Sequence, residues 1–425
     1  MAQLTDSCFD AGGELLPLEK AIKHLKENLL PVAQKVLLPL AECQNHVLAE
    51  DIIANHNVPP HNNSAVDGYA VRFSDLSSSE NTILPVGARI AAGQFLGRPL
   101  AEKEAIRIFT GAPMPEGADT VMMQEDTVEA DGKVTLLPGI KLGANSRNAG
   151  EDMQAGKVVL KAGQKLSAPQ IAIAAAQGYA ILPVYKKLSI ALFSSGDEVN
   201  EPGTDLPKGG IFDANRPMLL SLLEGWGCDV TDLGILPDDP KAMEEAFLKT
   251  ARDHDLLVSS AGMSVGEEDH LCNTIKANGN LNFWKLAIKP GRPVGMGLLQ
   301  QDGKSTPVLG LPGNPVAAFL TCNIVGRVII QILSGMSLKF PMRFPSILAE
   351  DIKKKAGREE YLRCSLTGDT NAAGLPYVKR FGKSGAAILS SLEGADGFML
   401  LRTDLENPKT DQQVFFLPIE GLLTL

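Results

Sequence analysis

Between residues 186 and 336, short apolar runs alternate with stretches of helical spacing, and that alternation leaves few folds open. LSIALF (188–193), CDVTDLGIL (228–236), the run Leu256-Leu257-Val258 and PVLGL (307–311) read as strands, and the central run is short enough to be buried on both faces. Helical patterns separate them. One opens at Asp213-Ala214-Asn215-Arg216-Pro217 and runs to about Trp226; the next ends near Asp253. Strand–helix alternation of this kind argues for an α/β layer with a mostly parallel sheet. In open sheets of that class, ligands bind outside the carboxyl ends of the strands. Glu198, Asp238, Asp269 and the loop Pro312-Gly313-Asn314-Pro315 all fall at predicted strand ends.

The sharpest of these ends is DLLVSSAGMSVGEED, Asp255 to Asp269. Its strand runs into a small-residue loop containing Ser260, Gly262 and Ser264, where backbone N–H groups can approach an anion without side chains in the way. Glu267, Glu268 and Asp269 follow at once. Carboxylates beside a phosphate-type loop repel the anion unless a divalent cation lies between them, so the pairing suggests a metal-bridged site. The plainer reading is a turn whose acids open the next helix, favoured by its dipole.

Elsewhere the pattern changes. Residues 14–50 carry helical spacing broken by Pro17, Pro31 and Pro39, and the spacing predicts a helix over 18–29. From Asp51 to about Gly150, Pro and Gly recur between short β-type runs, the composition of a small all-β lobe. Two of its loops stand out: His61 to Tyr69, with Asp67 as its one acid, and Phe109 to Gly117, with Thr110 beside Gly111. Asp67-Gly68 also suits a hairpin turn. Ser167 and Pro169 predict the cap and first turn of a helix closed by Gly178, whose Ala-rich run (IAIAAAQG) predicts tight burial. Short strands return from about Phe340. The expected architecture is multidomain, α/β and β: a central three-layer α/β domain over 186–338 with a mostly parallel sheet, a β lobe inserted at 51–150, and a C-terminal β domain over 339–425. Residues 1–50 and 151–185 form one discontinuous helical or mixed domain around the lobe.

Several chemistries are excluded. With a net charge of −10 and no basic run longer than Lys353 to Lys355, nucleic acid is an improbable partner. The six cysteines are scattered without a C-x-x-C pair, which suits a reducing compartment. No apolar run approaches the roughly 18–20 residues of a membrane span, and no signal-like segment follows Met1, so a soluble, cytoplasmic protein is expected. Phe381-Gly382-Lys383-Ser384 has Tyr377 where a P-loop has its leading glycine, and Gly295-Met296-Gly297 lacks the third glycine of a dinucleotide fingerprint. No histidines pair at i, i+4 and no G-x-S-x-G elbow occurs. What remains is acids in loops, with Lys285 and Lys289 interleaved with Trp284 and Ile288, placed to be partly desolvated and suited to an oxyanion. Carboxylates for Mg²⁺, amide-rich loops for phosphate and lysines for a further anion point to phosphoryl-type or nucleotidyl chemistry.

These residues carry a resemblance. The stretches from Asn63 to Val71, Thr110 to Asp119, Gly150 to Asp152, Ser195 to Glu198, Asp213 to Arg216, Ser264 to Asp269, Trp284 to Gly291 and Leu311 to Val316 resemble the motifs of the molybdopterin molybdenumtransferases, the family that includes the E domain of gephyrin. The matches run in order from about residue 10 to the C-terminus. The resemblance implies an elongated homodimer whose active site lies between the α/β domain of one subunit and the β lobe of the other. It also implies a reaction that takes adenylylated molybdopterin and molybdate, releases AMP with Mg²⁺, and leaves molybdenum on the dithiolene. Carried over by position, Asp67, Thr110, Asp152, Glu198, Asp238 and Asp269 form the catalytic polar set, with Glu198, Asp238 and Asp269 at the metal. Gly196, Asp197, Ser260, Gly262, Ser264, Lys285, Lys289, Pro312, Gly313, Asn314 and Pro315 line the substrate region. Arg358 or Arg363, with Ser384 or Ser390, supplies molybdate contacts from the C-terminal domain. An adenylyltransferase and molybdoenzyme-maturation proteins are the partners such an enzyme would meet. The chain departs from the family pattern at Ala261, where the family has the first Gly of Ser-Gly-Gly, at Met263 in place of valine, and at Ala317 in place of serine.

Two other functions fit the same fold: a non-catalytic pterin-binding or clustering scaffold, and a MgATP-dependent molybdopterin adenylyltransferase. A scaffold has no use for mutually repelling carboxylates at strand ends. The additional β lobe and C-terminal domain favour the molybdenumtransferase over the adenylyltransferase.

Overall fold

The computed structural model describes residues 15–236, 240–261, 270–291, 293–301, 303–382 and 385–425. They divide into two compact units. The first comprises the chain up to Ala49, Ala162–Leu166 and Leu182–Leu425; the second is Glu50–Lys161 with Ser167–Ile181. Where the sequence reading joins 151–185 to the N-terminal region, the contacts split that stretch. Strand Ile181–Tyr185 lies between Lys35–Pro39 and Val47–Leu48, whereas Val158–Leu160 pairs with Ile52–Ile53.

The centre of the first unit is a six-stranded sheet in the order Asp229–Ile235, Ser189–Ser194, Leu256–Ser260, Lys304–Leu311, Pro293–Gln301, Gly279–Lys285. The first four strands are parallel, and the last two add an antiparallel edge. Successive side chains of a strand point to opposite faces, and both faces here are apolar. Ile190, Leu192, Leu256, Val258 and Leu309 pack with Trp226 and the long helix from Pro315. Ala191, Phe193, Leu257 and Val308 pack on the other side with Phe247, Ala251 and Ile275. Phe193 and Phe247 meet edge-on, 4.8 Å between ring centres.

The helix Pro315–Leu333, with a π-helical segment at Cys322–Gly326, is 19 residues long and apolar enough to cross a membrane by length and composition. That corrects the expectation that no such run exists. Its window is 94% buried within the protein, so the apolar length serves the core. Helix Leu18–Asn28 turns Leu18, Ala21 and Leu25 into the same core.

The C-terminal strands Phe344–Leu348, Glu359–Thr370, Pro376–Arg380, Gly397–Leu401 and Gln413–Pro418 pair in a ring, because Glu359–Thr370 bonds to both Pro376–Arg380 and Gly397–Leu401. Closure removes the free edges. Phe398, Leu400 and Leu417 of this ring belong to the same apolar cluster as the α/β sheet.

The second unit holds a sheet in the order Thr120–Met123, Gly68–Val71, Ala105–Ile108, Thr82–Ile90, Lys133–Leu136, Thr127–Ala130. Its helix, Ala168–Ala176, is capped reciprocally by Ser167 and Gln170. The expected tight burial is not met: only Ala174 is fully buried, while Ala172, Ala175 and Ala176 are exposed. Alanine is the strongest helix former, so the run reports propensity and not burial.

Arg327 is the least ordinary member of the core, buried to 3% exposure. Its Nη1 donates to Thr424 O at 2.7 Å and its Nη2 to Leu422 O at 2.9 Å and Asn323 Oδ1 at 3.1 Å, and the guanidinium lies 4.9 Å from the Trp226 ring centre. Among the described residues no carboxylate pairs with it. The charge is solvated by the carbonyls of the last helix, which it thereby fastens to the core. Arg327→Met should leave those carbonyls without a donor and cost on the order of 2–4 kcal/mol in urea unfolding. A loss below about 0.5 kcal/mol, the size of an ordinary surface change, would refute this anchoring.

Candidate functional site

The parallel register places four strand ends side by side. Ser194 is aligned with Ile235 and with Ser260, and Ser260 with Leu311. The segments that follow Ile235, Ser194, Ser260 and Leu311 therefore leave from one edge of the sheet. Asp238, Gly262, Ser264 and Asp269 lie outside the described residues, as does Ser384. Of the expected metal ligands only Glu198 is described, and it is exposed. It sits against Gly196: a Cβ placed on Gly196, whose φ is +131°, would lie 2.8 Å from Glu198 Oε2. Glycine is needed there for backbone and approach alike. Asp197 is exposed too. No group of three or more metal-ligating side chains assembles among the described residues.

Ser194 and Ser195, missed in the sequence reading as site residues, stand at the strand end with buried hydroxyls that find no hydrogen-bond partner among the described residues. Buried polar groups are normally paired. The sequence signal was available, since two hydroxyls end an apolar strand.

The Pro312–Pro315 loop is held from two sides. Asn215 Nδ2 donates to Gly313 O at 2.7 Å, and Val316 N donates to Ala386 O at 3.0 Å. Gly313 and Asn314 are exposed, and Pro315 occupies the first turn of the helix. Next to Asn215, buried Arg216 binds Asp213 through Nε at 3.0 Å and also pairs with Asp232 and Glu201. Burial by itself would lower the guanidinium pKa; the carboxylates of Asp232 and Asp213 more than reverse it. The stretch from Asp213 to Arg216, which the sequence reading treated only as a family motif, thus positions a loop of the site.

Ala261 follows the central strand with φ +67°. Its N–H donates to Leu311 O at 3.2 Å, and its own carbonyl accepts from Ser259 Oγ at 2.5 Å. A residue with a Cβ occupies a left-handed position where the family pattern has glycine.

The lysines differ from expectation. Trp284, Leu286 and Ile288 are buried, but Lys285 is exposed and the Lys289 side chain is 52% exposed. Each lysine ends a separate short strand, Gly279–Lys285 and Ile288–Lys289, next to a buried Trp284 or Ile288 on the opposite face, so alternation within each strand turns the lysine outward. Lys289 Nζ pairs with buried Glu360 at 3.1 Å, so part of its charge is already met. Gly291, at φ +98°, passes so close to Thr321 that a Cβ would lie 2.3 Å from Oγ1. In the C-terminal ring Arg358 is half-buried, Arg363 is buried with Nη2 donating to Gly385 O at 2.9 Å, and Ser390 is exposed.

The second unit holds the other group of expected residues. Asp67 Oδ1 accepts from Thr110 N and from Thr110 Oγ1, each at 2.8 Å. These bonds, the backbone one foremost and then the hydroxyl, hold the Asp67 carboxyl below the usual carboxylate range; the Arg107 charge adds to them. Gly68 is not a turn residue: it lies within strand Gly68–Val71, where a Cβ would meet Met122 O at 1.8 Å. Close backbone approach, and not a positive φ, selects glycine, which corrects the hairpin reading. Asp152 is exposed, and its N–H donates to Val58 O at 3.0 Å. It borders a cleft of about 430 Å³ that includes Gly150, Gln154 and Lys157.

Two substitutions test this geometry. Ala261→Gly should release the left-handed strain and stabilise the chain by up to about 1 kcal/mol; a destabilisation of that size in chemical unfolding would contradict it. Thr110→Val removes one of the two bonds to Asp67 and should move that carboxyl back up towards its ordinary pKa, followed by carboxyl NMR titration. Because the native value is depressed, Asp67 contributes stability above the ordinary carboxylate pKa and loses it as pH falls through the native value. An unmoved titration would overturn the assignment.

Comparisons with known proteins converge on the same reading. Residues 16–178 match the family model described as MoeA N-terminal region (domain I and II). Residues 191–331 match a probable molybdopterin binding domain, and 345–419 the MoeA C-terminal region (domain IV). The molybdopterin molybdenumtransferase of Haemophilus influenzae is 37% identical over 415 residues, covering 96% of this chain and all of that protein. The enzyme of the same name from Staphylococcus aureus is 31% identical over 379 residues, 88% of each chain. The crystal structure of the molybdopterin biosynthesis moeA protein from Pyrococcus horikoshii superposes with a TM-score of 0.80 at 28% identity, covering 95% of this chain and all of that one. With domain models matched along its length and full-length relatives above 30% identity, the chain belongs to the molybdopterin molybdenumtransferase family, a family of transferases.

Proposed function

We propose that this chain inserts molybdenum into adenylylated molybdopterin, consuming molybdate and releasing AMP in a Mg²⁺-dependent step, as a cytoplasmic homodimer. The observation that carries the reading is the register of the parallel strands. It starts the segments leading to Glu198, Asp238, Asp269 and the Pro312–Pro315 loop from a single sheet edge, where α/β sheets bind ligands.

Each residue has a part that its chemistry allows. Gly196 and Asp197, together with Ser260 at the end of the central strand and Gly262 and Ser264 after it in sequence, admit the phosphate, and the exposed Gly313 and Asn314, flanked by Pro312 and Pro315, border the pterin. Lys285 offers a solvent-facing cation to molybdate and Lys289 a cation oriented by Glu360, with Arg358 and Ser384 contributed by the C-terminal part of the chain. Glu198 presents a hard oxygen donor of the kind Mg²⁺ prefers, and with Asp238 and Asp269 would hold that ion, which neutralises phosphate charge when bound. In the second unit Asp67, kept ionised by Thr110, and Asp152 complete the polar set, contributed from the partner subunit of the dimer.

Glu198→Gln and Asp269→Asn should each abolish Mg²⁺-dependent AMP release from adenylylated molybdopterin in the presence of molybdate, with unfolding curves unchanged. AMP is followed by chromatography. Wild-type turnover in both variants would sink the assignment.

A further inference from the structure

The second unit carries an arginine pair that this reading leaves unused. Arg89 and Arg107 are register partners on the parallel strands Thr82–Ile90 and Ala105–Ile108. Like charges facing each other across a sheet repel. They are kept together by Phe109, whose ring centre lies 4.5 Å from the Arg89 guanidinium carbon and 4.9 Å from that of Arg107. A ring face attracts cations but does not neutralise them. Arg107 also lies 5.1 Å from the Tyr69 ring centre and donates to Gly68 O and Gln124 Oε1, which are uncharged acceptors. Among the described residues neither arginine forms an ion pair, in a chain whose net charge is −10. The nearby acids are otherwise engaged: Glu129 bonds the Tyr69 hydroxyl, and Asp67 Oδ1 takes both Thr110 donors.

Thr110 follows Phe109 directly, so the pair stands beside the Asp67–Thr110 contact. We infer that Arg89 and Arg107, braced on Phe109, form a docking site for a tetrahedral oxyanion, free or as a phosphate ester, adjoining Thr110. Guanidinium forks match phosphate oxygens in planar geometry, and among the described residues neither has an ion pair to give up on binding; the Asp67 charge interacts with Arg107 only at longer range. Arg89 is exposed and open to a ligand, while Arg107 is half-buried and pre-oriented. The inference concerns binding alone and does not depend on molybdenum transfer by this chain.

The test is calorimetric titration of the full-length protein at low salt with inorganic phosphate and, separately, with AMP. Arg89→Gln and Arg107→Gln should each weaken phosphate binding about tenfold, the loss of one charge-assisted bond. Lys133→Gln, an equal change in net charge on the same sheet, should leave it unaltered. A parallel loss for AMP identifies a nucleotide phosphate as the anion; a loss for phosphate alone identifies a free oxyanion; both support the site. Wild-type affinity in Arg89→Gln, or an equal loss in Lys133→Gln, overturns it. Molybdate-dependent AMP release, assayed on the same proteins, reports independently on the transferase reading.

Discussion

Arg216 is the interaction on which the α/β half of the site depends. A buried guanidinium is costly unless its charge is met, and here Asp213, Asp232 and Glu201 all reach it. These acids come from the start of a helix, from the edge strand and from the loop beyond Glu198; the helix start and that loop also meet through the backbone, where Asp213 N–H donates to Asn200 O at 2.9 Å, and the one cation ties both to the edge strand. The adjoining Asn215 extends the brace to Gly313. Loops at a strand end are otherwise free to move, and this cluster gives them a fixed anchor.

The sheet supplies the second constraint. Parallel pairing keeps carboxyl ends on one side, and the alignment of Ile235, Ser194, Ser260 and Leu311 turns residues scattered over more than a hundred positions into neighbours. Close approach then selects residue types. Gly196 makes room for Glu198, Gly68 for the Met122 carbonyl, and Gly291 for Thr321. The exception is Ala261, where a left-handed backbone carries a Cβ. The same economy of space governs the second unit, where Thr110 reaches Asp67 because the strand just before it, Ala105–Ile108, pairs with Gly68–Val71.

Much of this was legible in advance, for reasons that can be named. Short apolar runs located the four parallel strands of the central sheet, though not its antiparallel edge strands Gly279–Lys285 and Pro293–Gln301, and Ser167 with Pro169 located a helix start, because these signals are local. Lys285 and Lys289 were legible as a pair but not as solvent-facing, since the inward faces of the two strands that they end are set by what packs against them. The Ala-rich helix was legible as a helix and misread as buried, because propensity and burial both favour alanine. Pro315–Leu333 was not seen as a 19-residue helix, because its polar residues interrupt the apolar pattern even though the core accepts them. Arg327 shows how: its charge is met by backbone carbonyls almost a hundred residues away.

The sequence by itself determined the alternation of strand and helix, the apolar faces, the acids in loops and the family motifs, all of which depend on neighbours within a few positions. Only the tertiary structure decided which strand ends align, that Arg216 gathers three acids, that Asn215 holds the Gly313 loop, and that Arg89 and Arg107 share one ring. Those outcomes depend on register and on contacts between residues far apart in the chain, and no local pattern encodes the distance between two side chains that only packing brings together.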